Sequence, residues 1–164
     1  MTEPRWLNTT EMRAWSGFLE TASLLQRLID VQLRTSGGVT QVQYEILHRL
    51  NESSGKRLCM SALAEQMVSS RSGLTYQVSQ LEKRGLVQRT ADPADERGVL
   101  AVLTDEGGKV LAESAPGHVR TVREGLLEAL TADQVARLAD VMDITRAHLR
   151  DMVPTKPVRK RTTE

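Results

Sequence analysis

The sequence predicts a mainly α fold with a small β-hairpin close to its centre. Three observations point to it. Apolar residues recur at steps of three and four over long runs at both ends of the chain. Two short helical runs with a tight gap between them occupy the middle. Directly after them, LVQRT (86–90) and GVLAVLT (98–104) read as two strands around a corner of turn-forming residues.

At 164 residues the chain fits one domain, or a compact unit with appended helices. It is 40% hydrophobic and 26% charged, an ordinary composition. A net charge of +1 is too small to indicate a nucleic-acid partner, so the placement of charge matters more. Between Ser69 and Thr90, Arg71, Lys83, Arg84 and Arg89 face the single acid Glu82. Past Pro154, Lys156, Arg159, Lys160 and Arg161 face Glu164. Such asymmetry steers polyanions. One cysteine, Cys59, excludes an internal disulfide framework and fits a reducing cytoplasm. Neither a signal-peptide core nor a run of ~20 apolar residues is present, so a cytoplasmic protein without a membrane partner is expected.

Taken in order, residues 1–9 form a flexible lead-in. From Thr10 a helix carries Met12, Trp15, Leu19, Ala22, Leu25, Ile29 and Leu33, and Phe18, Leu24, Leu28 and Val31 widen its apolar face. That breadth implies burial on two sides. Gly37-Gly38 ends the helix. Thr40 with Gln43 forms a capping pair for the second helix, whose inner residues are Val42, Ile46, Leu47 and Leu50. MSALAEQMV (60–68) presents Leu63 and Met67. SSRSGLTYQVSQLEKRG (69–85) presents Leu74, Val78 and Leu81, and Gly85 supplies a left-handed C-terminal cap. The hairpin follows. Cys59 is expected to be a small buried apolar residue ahead of the third helix.

Thr104 then caps a helix with Asp105 and Glu106 near its positive end, and Pro116-Gly117 predicts a bend in it. Thr131 and Gln134 cap the last helix, whose Val135, Leu138, Met142, Thr145, Leu149 and Met152 follow the spacing of a helix packed along another. The expected organisation is dimerisation helices at 10–36 and 105–153, a central helix–helix–hairpin lobe at 37–104, and a disordered basic tail at 154–164. The ends hold more apolar surface than a small middle can cover, which a homodimer built from them would resolve.

The fourth helix begins with hydrogen-bonding side chains. With Leu74, Val78 and Leu81 facing inward, Ser70, Arg71, Ser72, Thr75, Tyr76 and Gln77 lie near its N-terminal outer face. Arginine suits guanine, glutamine suits adenine, and the threonine methyl suits that of thymine. A polar solvent face that happens to begin with serines fits the same run. The hairpin favours the first reading. A winged helix-turn-helix lays its second helix in the major groove, while the hairpin reaches an adjacent minor groove, where arginine exploits the enhanced negative potential. Arg97, at the corner DPADERG, is placed for that role. Asp95 could hold its guanidinium or brace the turn through hydrogen bonds. An ordinary hairpin with a surface ion pair is the alternative.

Asp95-Glu96-Arg97, five residues, then Leu103-Thr104 resembles the D-x-R-x5-L-T wing signature of MarR-family transcription regulators. The similarity extends through VTQVQYEILHRL and LCMSALAEQMVSSRSGLTYQVSQLEKRGLVQRT and covers about residues 10–150. It implies a homodimer with intertwined terminal helices, two winged lobes, and a pseudo-palindromic double-stranded DNA operator. Half-sites would lie one helical turn, ~34 Å, apart. It also implies repression relieved by a small, often aromatic, effector. In the family the first two helices line the ligand cleft, which makes Trp15, Tyr44, His48 and Arg49 candidates for an effector pocket; core packing of Trp15 and Tyr44 competes with that role. Two departures stand out. Glu96 replaces a frequently basic wing residue and Tyr76 a frequently basic helix residue, so a weaker or more selective wing contact is expected.

Other chemistries find little footing. His48, His118 and His148 are scattered without ligand spacing, so no metal is expected. No phosphate loop, dinucleotide fingerprint or nucleophile elbow occurs, and Gly107-Gly108 alone is a weak signal; neither catalysis nor a cofactor is expected. Five scattered aromatics do not build a base-stacking platform. The competing function class is a dimeric ligand-binding or protein-interaction module that has the fold without specific DNA binding.

Overall fold

The computed structural model describes residues 5–67 and 71–152, apart from the side chains of Arg71 and Glu96. The expected disordered tail at 154–164 and Ser70 lie outside the described residues. The chain divides into two compact units, Met1–Gly125 and Leu126–Glu164.

The first unit opens with α1 (Thr9–Gly37), 29 residues long. Its start is one residue earlier than the apolar pattern suggests, because Asn8 and Glu11 form a capping box that satisfies the first free N–H groups. Next comes α2 (Gln41–Glu52), capped reciprocally by Thr40 and Gln43 as expected. The Asp30 carboxylate, one oxygen of which is held by Arg34 at 2.8 Å, accepts the Gln41 N–H at 3.0 Å. These bonds to the anion keep the Asp30 carboxyl below the usual carboxylate range.

After a short turn, β1 (Arg57–Cys59) leads into α3 (Met60–Gln66), and α4 (Arg71–Lys83) follows. At the end of α4, Gly85 takes φ 71° while Leu86 N–H returns to the Leu81 carbonyl at 3.0 Å, the cap that its glycine implies. Then come β2 (Val87–Asp92), β3 (Asp95–Leu103) and α5 (Asp105–Val122), with a wide π turn over Arg123–Leu127. The helix runs on through Pro116, and the irregular turn falls later than the expected bend.

The sheet contains the expected two-stranded hairpin and adds a third strand to it. It has three strands in the order β1-β3-β2, all antiparallel, with Arg57 opposite Val102 and Cys59 opposite Leu100. Cys59 is half-buried rather than buried, since an edge-strand residue keeps one side open. Its Sγ lies 3.3 Å from the Ser61 hydroxyl.

One core joins these elements. Ile46, Leu47 and Leu50 of α2, Leu63 of α3, Leu74, Val78 and Leu81 of α4, Val87 of β2 and Ala101 of β3 are buried together with Ile29 and Leu33 of α1 and Leu111 of α5. Each such leucine contributes about 1.5–3 kcal/mol through burial. Gly107 explains its own presence here: a Cβ would collide with the Leu86 carbonyl oxygen, so the first turn of α5 packs directly onto the start of β2. In the second unit, Thr131 and Gln134 cap α6 (Ala132–Met152), as their spacing implies.

Candidate nucleic-acid interface

Inward anchoring decides which side of α4 is displayed. Leu74, Val78 and Leu81 are at most 1% exposed, at the four-then-three step of one helix face. Ser72, Thr75 and Tyr76 are consequently exposed, with Tyr76 at 61%. Arg71 is the first residue of α4. Gln77 faces elsewhere. It is half-buried, and its side-chain carbonyl accepts from Gln43 Nε2 at 3.2 Å, which ties α4 to α2. Gln43 in turn accepts the Thr40 N–H, so the whole chain of amides belongs to the capping of α2. At the other end of α4, Glu82 receives Arg89 Nε at 2.9 Å and the Arg89 backbone N–H at 3.1 Å. This clasp secures α4 to the first strand of the hairpin. It also holds the Glu82 carboxyl below its ordinary range.

The hairpin presents Arg97 by a device that strand patterning does not reveal. Its turn is Pro93-Ala94, so Arg97 lies beyond the apex, inside β3, rather than at the tip as expected. Asp92 pairs with Asp95, whereas the preceding Ala91 pairs with Val99. Glu96, Arg97 and Gly98 are therefore looped out of the ladder as a bulge, a feature that re-aims side chains. Two carboxylates brace it. Asp92 accepts the Ala94 N–H at 2.9 Å, and Asp95 accepts the Arg97 N–H at 3.0 Å. Asp95 thus holds the backbone of Arg97. Among the described residues no group pairs with the Arg97 guanidinium, which stays exposed. Gly98 closes the bulge, where a Cβ would press against Cβ of Asp92 at 2.7 Å.

The four candidate pocket residues are only partly brought together. Tyr44 is buried, with His48 stacked at 6.4 Å on one side and His118 of α5 at 4.7 Å on another. His48 and Arg49 also line an open groove of about 330 Å³ with Glu45, Glu52 and Leu58, and Arg49 pairs with Glu45 at 3.1 Å. Trp15 is half-exposed and stacks on Phe18 at 6.4 Å instead. His118 was hidden from sequence reasoning, because a contact between residues so far apart leaves no local pattern. The described residues contain no group of ligands able to hold a metal ion.

Residues 39–99, from the start of α2 to the bulge of β3, match the MarR family. The fold superposes on that of Sco3205, a MarR family transcriptional regulator from Streptomyces coelicolor solved in complex with DNA. The TM-score is 0.87 at 41% identity, over 94% of this chain and 95% of that one. The chain belongs to the MarR family.

Further transcriptional regulators agree. The chain is 37% identical over 97 residues to the transcriptional regulator HosA of Escherichia coli O127:H6, covering 58% of this chain and 69% of HosA. The match to HosA of strain O111:H- spans 56% of that relative. PcaV of Streptomyces coelicolor, solved with its natural ligand, superposes at a TM-score of 0.69 with 27% identity over 89% of this chain and 98% of PcaV. No helix among the described residues is long and apolar enough to cross a membrane.

Proposed function

We propose that this MarR-family chain acts in the cytoplasm as a homodimeric repressor that binds a pseudo-palindromic double-stranded DNA operator and leaves it on binding a small effector. One observation carries the reading. A single lobe displays the polar start of α4 and, on β3, which pairs with the strand β2 that Glu82 and Arg89 clasp to that helix, an arginine looped out on a braced bulge. On this reading Ser70, Arg71, Ser72, Thr75 and Tyr76 meet the major groove and Arg97 the minor groove. Gln77 acts at one remove, by fixing α4 against α2. The DNA complex of Sco3205 supports the partner.

Homodimerisation is supported by apolar surface left uncovered in one protomer. Phe18, Leu28 and Val31 of α1 are more than half exposed, and Ile144 of α6 is 72% exposed. Surface of this kind marks an interface. The bound ligand of PcaV, together with the Tyr44–His48–His118 cluster, supports an effector of aromatic character.

Fluorescence anisotropy against the DNA immediately upstream of the gene, with unrelated duplex as competitor, tests the proposal. Binding that survives the competitor at two protomers per site, and weakens steeply with salt, is the expected result. Affinity equal to that for the competitor, repeated on duplexes from a random-sequence selection, would favour the interaction-module reading.

A further inference from the structure

We propose that Arg84 is a positioning residue that sets the separation of the two DNA-reading helices, by locking the end of α4 onto the end of α1. The geometry is a fork on two adjacent acceptors. Arg84 Nη1 donates to the Gly38 carbonyl at 2.8 Å and Nη2 to the Gly37 carbonyl at 3.0 Å. Gly37 is the last residue of α1 and Gly38 its left-handed cap, with φ 64°.

Carbonyls at a helix C-terminus lack intrahelical partners and carry the negative end of the helix dipole. The Gly38 N–H satisfies the Leu33 and Arg34 carbonyls, and Arg84 takes those of Gly37 and Gly38 at the very end of the turn. A guanidinium is planar and always charged, so two parallel donations fix an angle as well as a distance. The acceptors sit where α1 turns into the lobe. Two glycines in succession give that junction backbone freedom, which Arg84 restrains alongside the buried Leu33 and Val39 and the Asp30–Gln41 bond.

The consequence rests on the proposed homodimeric operator binding. With α1 as part of the dimer interface, each lobe hangs from the C-terminal end of its α1. The angle at Gly37-Gly38, together with the core that Ile29 and Leu33 share with the lobe, then sets how far apart the paired α4 helices stand. Base contacts in one half-site do not depend on that angle, whereas simultaneous contact with both does. Arg84 is itself exposed and apart from the core, so its loss is expected to leave the lobe folded.

The test measures affinity of the parent, Arg84→Ala and Arg84→Lys for an operator obtained by random-sequence selection with the parent. The same half-sites are also presented with their spacing shortened or lengthened by one base pair. The parent is expected to lose on the order of tenfold affinity or more on either altered duplex, because each step rotates one half-site about the helix axis. Arg84→Ala is expected to bind all three within about threefold of one another. Arg84→Lys keeps the charge but lacks the fork, and is expected to fall between them; it also carries the test should the alanine variant fail to fold. Undiminished spacing preference in both variants would overturn the positioning role while leaving the operator reading intact. Equal weakening on every duplex with a shallower salt dependence would overturn it too, by making Arg84 a phosphate contact. A parent without any selected operator would remove the underlying reading, and this inference with it.

Discussion

Tyr44 and His118 bring α2 and α5 together ring against ring, with centroids 4.7 Å apart and planes inclined at 42°. The Nδ1 atom of His118 is buried there without a hydrogen-bond partner among the described residues. Burial, reinforced by nearby His48, holds the His118 imidazole below its ordinary value of 6.5, and burial pushes the Tyr44 phenol up. In the unfolded chain His118 takes up a proton near 6.5, before it does so in the folded one. Stability is therefore fully present above that pH, and falls as pH drops through the lowered folded value. Melting temperature is expected to decline between about pH 7 and pH 5, with a shallower decline in His118→Gln. Asp30 and Glu82, whose ordinary values are 3.8 and 4.5, lose their contributions in a more acidic window. Identical slopes for parent and variant above pH ~5 would remove His118 as the cause.

Arg97 is held at its backbone while its guanidinium is left to solvent. Arg97→Ala is accordingly expected to weaken operator binding by about 1–3 kcal/mol and lower the salt slope by about one unit, with the melting temperature unchanged. Titrations at several salt concentrations measure both effects. Equal affinity and slope in parent and variant would exclude the wing from recognition.

Asp95 separates bracing from charge. Asp95→Asn retains an oxygen that accepts the Arg97 N–H and removes a negative charge near DNA, so its affinity is expected to match or exceed that of the parent. Asp95→Ala loses the acceptor, and its affinity is expected to fall toward that of Arg97→Ala. If the asparagine variant is as weak as the alanine one, the carboxylate acts through something other than this bond.

Much of this arrangement is legible in the sequence because local rules determine it. The Thr40–Gln43 and Thr131–Gln134 caps, the Gly85 stop and the Leu74-Val78-Leu81 face depend on neighbours a few residues away. What escapes is settled by distant partners. β1 has three residues, too few for a period, and exists because β3 offers it an edge. Gln77 reads as a base-contacting residue until Gln43 claims it from α2. The strand pattern locates a corner near Arg97, but the three-residue bulge depends on how β2 and β3 register across the turn. Asn8 was legible in principle, since Asn8-x-x-Glu11 is a capping box ahead of an apolar run.

The broad apolar face of α1 leads to the last expectation. Phe18 and Leu28 are 51% and 54% exposed, although burial of such side chains is worth about 1.5–3 kcal/mol each. In a two-fold dimer every substitution occurs twice, so Phe18→Glu with Leu28→Glu would place four carboxylates in or beside the shared surface. Neither residue belongs to the buried core, and helix content is expected to persist. Sedimentation velocity at micromolar concentration is expected to give a dimer for the parent and a monomer for the double variant. Operator affinity should fall with it, because a single lobe contacts one half-site and loses the gain from linking two. A parent that sediments as a monomer, or a double variant that still pairs, would show that α1 does not carry the association.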